Sequence, residues 1–197
     1  MKSSFLRPAA ALALALGLAA CGGSESFVVG GTVYGLAFDG LVLTNNGVTL
    51  PIAKGATTYS FPGSLEYGET YNVLVKTNPP HQTCEANPNF NADTAGRMAS
   101  INVPVRCAVN AFTVGGKITG LTAEGLELIN GTTGGTVGVV KDATVFNFAT
   151  PVAFGQSYGV TILKQPTGQT CTITNGVGEM GDVKVDNIQV TCSTSIG

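Results

Sequence analysis

Tryptophan is absent from the 197-residue chain, histidine occurs once, and charged residues make up only 11%. Each shortage excludes something. One histidine cannot supply the several ligands of a zinc centre. A Ser-His-Asp hydrolase would have to rest on that same His81, and none is expected. The low charge comes with 44% hydrophobic residues, the reverse of a disordered chain. Ten Lys and Arg against twelve Asp and Glu give a net charge of -2, so no basic surface points to nucleic acid. The Ala, Glu, Lys, Leu and Arg content of a coiled coil is missing. No apolar run reaches the roughly 20 residues of a membrane-spanning helix. Without tryptophan, a sugar-stacking platform has only Tyr34, Tyr59, Tyr67 and Phe90 to draw on.

What the chain does hold begins with an address. Lys2 and Arg7 precede an apolar run from Pro8 to Ala20, the length of a signal-peptide core. The run ends in Leu18-Ala19-Ala20-Cys21. This ending resembles the bacterial lipobox, and the resemblance implies cleavage before Cys21 and acylation of that cysteine. Two or more acyl chains would hold a protein stably on a membrane. Gly22 in place of aspartate implies, by the same family rule, the outer membrane of a Gram-negative bacterium. On this reading 1–20 is a signal peptide, 21–26 a tether, and the membrane a partner through the lipid anchor.

The remainder is one module written twice. Phe27-Val-Val-Gly-Gly-Thr-Val-Tyr-Gly-Leu36 matches Phe112-Thr-Val-Gly-Gly-Lys-Ile-Thr-Gly-Leu121, and Gly40-Leu-Val-Leu-Thr-Asn45 matches Gly125-Leu-Glu-Leu-Ile-Asn130, both at an offset of 85. Gly68-Glu-Thr-Tyr71 matches Gly155-Gln-Ser-Tyr158, and Gln82-Thr-Cys84 matches Gln169-Thr-Cys171, at an offset of 87. The copies run 27–109 and 112–194, with 110–111 as the join and 195–197 as a tail. So short a join predicts two domains stacked end to end with little freedom. Within a copy the hydrophobic period is two, broken by turn pairs such as Asp39-Gly40, Asn46-Gly47 and Pro62-Gly63. About seven short strands per copy predict an all-β protein of two tandem Ig-like or transthyretin-like β-sandwiches.

Gly31-Thr-Val33, Gly40-Leu-Val-Leu43, Asn45-Asn-Gly47, Tyr59-Ser-Phe61 and Leu65-x-x-Gly68-x-x-Tyr71 recur in that order. The series resembles the Cna-B and carboxypeptidase-regulatory-like group of bacterial surface sandwiches. Its Gly-x-x-Tyr part is similar to the tyrosine corner of immunoglobulin folds. The cysteine-bearing last third departs from that pattern. An isopeptide lysine of the Cna-B kind has a positional candidate in Lys117, but Thr32 replaces it in copy one, so no isopeptide is expected.

Five cysteines less Cys21 leave four. The repeats place one before the penultimate strand and one in the last strand of each copy. An antiparallel pair there would bring them within reach, predicting disulfides Cys84–Cys107 and Cys171–Cys192. Nothing else converges. Glu66, Glu69, Glu124 and Glu127 read as solvated charges rather than a glycosidase pair. Asp182 and Asp186, near Glu179, lack the period of a calcium loop, and His81 reads as an exposed turn residue. No cofactor and no metal are expected. The candidate binding loop is the polar segment Asn87-Pro-Asn89-Phe90-Asn91-Ala-Asp93, special to copy one. The expected function is a non-catalytic, lipid-anchored envelope protein that is structural or adhesive. The alternative is a periplasmic inhibitor or ligand-binding lipoprotein using that loop. In either case the protein or surface partner is left open.

Overall fold

The computed structural model describes residues 25–195. The leader 1–20, Cys21 and most of the tether lie outside the described residues. The described chain is all-β, with two tandem Ig-like β-sandwiches, as the strand pattern predicts. No helix among the described residues is long and apolar enough to cross a membrane.

In the first module, strand Val29–Tyr34 lies between Thr58–Ser60, antiparallel to it, and Val105–Val109, parallel to it. Gln82–Ala86 closes that sheet antiparallel to Val105–Val109. The facing sheet runs Val48–Ile52, Leu41–Asn45, Thr70–Thr77, Ala92–Thr94, all antiparallel. The second module repeats both sheets: Val145–Asn147, Val114–Thr119, Val185–Thr194, Gln169–Thr174, and Thr136–Val139, Leu126–Asn130, Ser157–Lys164, Val177–Glu179. Even an irregularity recurs. The register slips between Val42 and Leu43 in one copy and between Glu127 and Leu128 in the other, positions 85 apart.

Alternation produces these faces. Leu41 and Leu43 are fully buried while the alternate residues Val42 and Thr44 are half-buried, since successive strand side chains point to opposite faces. Leu126 and Leu128 do the same in the second copy. Each module has its own core, centred on Leu43, Val73, Val103 and Val105 in the first and on Leu128, Phe148, Val160 and Ile188 in the second. Each such side chain contributes roughly 1.5–3 kcal/mol by leaving water.

Two strands depart from simple alternation. Ile101 to Val105 is not one strand, because Val103-Pro104 interrupts it; Ile101–Asn102 pairs with Val29–Gly30, and the pairing resumes at Val105 opposite Val33. Proline has no N–H to give to a ladder. Ala92–Thr94 is an added edge strand whose sequence carries no apolar alternation; its pairing to Thr70, Tyr71 and Asn72 supplies the order instead.

The recurring Gly-Gly pair has a steric cause. A Cβ on Gly31 would stand 2.0 Å from the Val103 carbonyl oxygen, and one on Gly116 would stand 2.1 Å from that of Ile188. The first strand thus admits against its bare backbone the Val103 segment in module one and the last strand in module two. Cys84 and Cys107 are direct cross-strand partners and are joined, with Cα atoms 3.9 Å apart; Cys171 and Cys192 stand in the same relation.

Candidate functional site

The poles of a sandwich carry its loops, and one pole of each module meets the other across the join. Asn110 is held there from both sides. Its N–H donates to the His81 carbonyl and its own carbonyl accepts from Phe154 N, both at 2.8 Å. Thr83 Oγ1 donates to the Asn110 side-chain oxygen, also at 2.8 Å. Beyond it Ala111–Phe112 pairs with Val152–Ala153, so the join passes straight into a strand.

His81 is at the centre of this joint and is not the exposed turn residue that its surroundings suggest. Its ring lies flat on Phe154, centroids 3.7 Å apart and planes 7° from parallel. Phe38 meets the same ring edge-on at 5.4 Å and Phe154 at 6.1 Å. His81 Nδ1 is 2.7 Å from Asp182 Oδ2. Module one thus supplies Phe38 and His81, and module two Phe154 and Asp182. The backbone of His81 has φ 63°, a left-handed conformation few side chains adopt without cost. Its counterpart Gly168 has φ 69°. The turn after Asn78-Pro-Pro requires that conformation, and copy one places a ring there regardless.

The conserved spelling of the two copies is explained by buried amides. Gln82 Oε1 accepts from Ala37 N at 2.8 Å and Phe38 N at 3.2 Å, while Nε2 donates to the Gly35 carbonyl at 2.6 Å. Gln169 accepts from Thr122 N and donates to the Gly120 carbonyl in the same way. Each clamps the loop that leaves the first strand. Asn45 and Asn130 accept from Asn72 N and Gly159 N, both at 2.9 Å. Burial without partners would cost each amide several kcal/mol, so these contacts are structural necessities. The Gln82 clamp also positions Phe38 for the joint.

The Asn87–Asp93 segment divides in two. Asn91 to Asp93 belong to the sheet: the Asn91 carbonyl accepts from Val73 N at 2.7 Å, and Ala92 and Asp93 pair with Asn72 and Tyr71. Asp93 accepts from Arg97 at 2.9 Å and from Thr94 N at 2.7 Å, which holds its carboxyl below the usual carboxylate range. Asn87 makes a local turn, its side chain accepting from Asn89 N at 3.0 Å. Pro88, Asn89 and Phe90 are what the loop offers to solvent before the edge strand, with Phe90 42% exposed.

The remaining candidates stay apart. Asp182 is taken by His81, and Asp186 faces Lys184 at 3.3 Å. Glu127 is 3.8 Å from Lys164. Glu66, Glu69 and Glu124 are exposed, and Glu69 caps its own turn by accepting from Glu66 N. Lys117 is exposed on the first strand of module two. Tyr59 is core, its hydroxyl donating to the Val103 carbonyl at 2.8 Å, and burial raises its pKa well above the usual phenol range. Tyr34 stacks under Arg106, 4.9 Å from the guanidinium carbon. No hydrogen bond ties the Tyr71 hydroxyl to the backbone among the described residues, so the tyrosine corner is not formed. The string Gly155-Gln156-Ser157-Tyr158-Gly159 has the spelling of a nucleophile elbow, but it leads from a turn into strand Ser157–Lys164 rather than from a strand into a helix. No hydrogen bond joins Ser157 to His81 among the described residues. Nor do any three His, Cys, Asp or Glu there form a group that could hold a metal ion.

No protein-family model and no curated protein matches the chain. Among solved structures, the shaft pilin SpaA of Lactobacillus rhamnosus GG is 10% identical, with 88% of this chain and 100% of its own covered at a TM-score of 0.30. The major pilin T3.2 of Streptococcus pyogenes is 12% identical, with 87% of this chain and 98% of its own covered, also at 0.30. These neighbours are named as pilins, not lipoproteins. On this finding the expectation of a lipid-anchored protein of a Gram-negative outer membrane is corrected. The lipidation of Cys21, the membrane partner and that location are not carried further. At these scores the likeness concerns shape and assigns this chain no mode of attachment.

Proposed function

We propose that the chain is a non-catalytic, structural or adhesive protein of the cell envelope. Its two sandwiches act as one short, stiff spacer. The joint carries this reading: a two-residue join is hydrogen-bonded at both ends and packed by His81 stacked on Phe154 with Phe38 edge-on to both, an arrangement that restrains the two modules against each other. The disulfide in each module suits an oxidising setting outside the cytoplasm. Immunolocalisation on whole cells with fractionation tests the assignment. Recovery in the envelope fraction is expected; recovery wholly in the cytoplasm would overturn it.

A second reading has one observation in its favour. Phe90 stands exposed at the tip of a loop that is two residues shorter in copy two, and an exposed aromatic flanked by Asn89 and Asn91 is a common form of protein contact. In this reading the loop binds a protein partner of the envelope. Replacing Pro88–Phe90 with the shorter copy-two turn should abolish recovery of that partner in a cross-linking pull-down while both modules stay folded. Unchanged recovery would dismiss the loop.

A further inference from the structure

We propose that module two carries a binding site for a neutral sugar, built by the long turn after Asn130. A cavity of about 420 Å³ opens there, between that turn and the segment from Thr150 to Ser157. Small-molecule sites span about 300–1,000 Å³. Copy one has the same place and keeps it nearly shut. Asn45, Asn46, Gly63, Ser64 and Leu65 line it at the positions of Asn130, Gly131, Thr150, Pro151 and Val152, and its volume is about 160 Å³.

The difference has a cause in the sequence. Copy one turns through two residues, Asn46-Gly47, with Asn45 paired to Val48. The Asn46 side chain donates to the Thr70 carbonyl at 2.7 Å and bars the way along that strand. Copy two turns through four residues, 131–134, with Asn130 N bonded to the Gly135 carbonyl. Gly131 stands in place of Asn46, at φ 55° against 47°, and has no side chain to make that bond. The cavity therefore runs on to Gln156 and Ser157, the counterparts of Glu69 and Thr70.

Its polar groups are left free. Asn130 is only 3% exposed, and its Oδ1 accepts from Gly159 N, but its Nδ2 donates to nothing among the described residues. Gly134 leaves that Nδ2 clear, since a Cβ there would stand 2.5 Å from it. A buried amide without a partner costs free energy, so this donor calls for an occupant that accepts a hydrogen bond. The side chains of Thr132, Thr133, Thr150, Gln156 and Ser157 line the same space and make no hydrogen bond among the described residues. No ionisable side chain and no aromatic ring lines it. A carboxylate or phosphate would find no counter-charge, and an apolar ligand would strip water from these groups without return. Sugar hydroxyls both donate and accept, as the lining hydroxyls and amides together do. Without a ring to stack on, binding should be weak, with a Kd of about 1 mM. The site lies apart from the Phe90 loop and needs nothing from the rings at the joint, so its failure would leave the spacer reading standing.

Titrating the isotope-labelled full chain with glucose, maltose and N-acetylglucosamine tests the site. Amide NMR shifts are followed to roughly 50 mM sugar, well above that Kd. Saturable shifts are expected at Gly131, Thr132, Thr133 and Ser157, with none at Asn46, Gly47 or Phe90. Ser157→Ala and Thr133→Val remove hydroxyls that hold nothing in the fold, and each should weaken binding by about threefold to tenfold. Replacing residues 131–134 with the Asn46-Gly47 turn should abolish binding while the rest of the module two spectrum stays in place. No saturable shift with any of the three sugars would overturn the proposal, as would shifts confined to other residues. An equal response to glucuronate would overturn the uncharged ligand class. A response to the peptide Gly-Ser-Gly and to none of the sugars would overturn the sugar itself.

Discussion

Module one holds a histidine at φ 63° where module two holds a glycine at φ 69°, and the same turn surrounds both. Around them the copies agree closely. Gln82 and Gln169 clamp equivalent loops, Asn45 and Asn130 patch equivalent strand ends, and both inner sheets slip register at the same place. They differ at the poles. His81 faces Phe154 at the joint, whereas Gly168 sits at the far pole of module two. Asn89 and Phe90 lengthen one loop of copy one, and Thr132 and Thr133 lengthen a different loop of copy two. Residues shared by the copies close the sandwich; residues that differ shape what each sandwich meets.

The comparison is most severely tested at the disulfides. The bridges close similar loops, with sequence separations of 23 and 21, so the chain-entropy model assigns each about 3 kcal/mol. Replacing Cys84 and Cys107 by alanine should lower urea stability by that amount, and the Cys171 and Cys192 pair should cost the same. A large inequality would mean that one module relies on its neighbour for order.

The glycine contacts come next. Gly31→Ala drives a Cβ into the Val103 carbonyl just before the last strand of module one, Gly116→Ala drives one into the Ile188 carbonyl within the last strand of module two, and neither side can yield without parting that segment from the first strand. A loss of about 3 kcal/mol is expected for each, read from denaturant midpoints. Equal losses would establish that both copies require the close approach; a mild effect in one would show that its last strand can shift.

The clamps are worth somewhat less. Gln82→Ala would leave Ala37 N, Phe38 N and the Gly35 carbonyl without their partner, a loss of about 2 kcal/mol. Gln169→Ala removes two such contacts rather than three and should cost slightly less. Only the first should also disturb the joint, through Phe38.

These amides mark how far the sequence could be read. The offset of 85 to 87 made Gln-Thr-Cys and Gly-Leu-x-Leu-x-Asn visible as repeated units, and period two made the sandwiches legible. The partner of a buried amide is a backbone group 44 to 49 residues away for the glutamines and 27 or 29 for the asparagines, and no local pattern names it. The joint was harder still. Phe38, His81, Phe154 and Asp182 come from four separate turns and meet only once both modules are folded. One signal was available: His81 aligned with Gly168, and a side chain replacing a glycine in a tight turn is a cost that needs a reason. The Asn87–Asp93 loop was legible in part. Its polarity correctly marks a surface segment, but the edge strand in its second half depends on Tyr71 across the sheet, which alternation within the loop could not reveal.

The finest test uses Tyr59 against Phe146, equivalent core positions that differ by one hydroxyl. Burial holds the Tyr59 phenol in its neutral form, with its pKa raised above the usual value, and its hydroxyl donates to the Val103 carbonyl. A group whose pKa is higher when folded than when unfolded stabilises fully below the unfolded value of about 10 and loses that contribution as pH rises further. Module one should therefore lose about 1 kcal/mol by about pH 11 through this residue, and module two should show no counterpart from Phe146. Tyr59→Phe should remove the part of the alkaline slope due to this residue, leaving that of Tyr71, whose pKa burial and then Asp93 also raise, measured as denaturant midpoint against pH, while costing about 1 kcal/mol at neutral pH for the lost hydrogen bond. If the slope were unchanged, the alkaline sensitivity of module one would belong wholly to another group such as Tyr71, and the Tyr59 hydroxyl would not set the two cores apart.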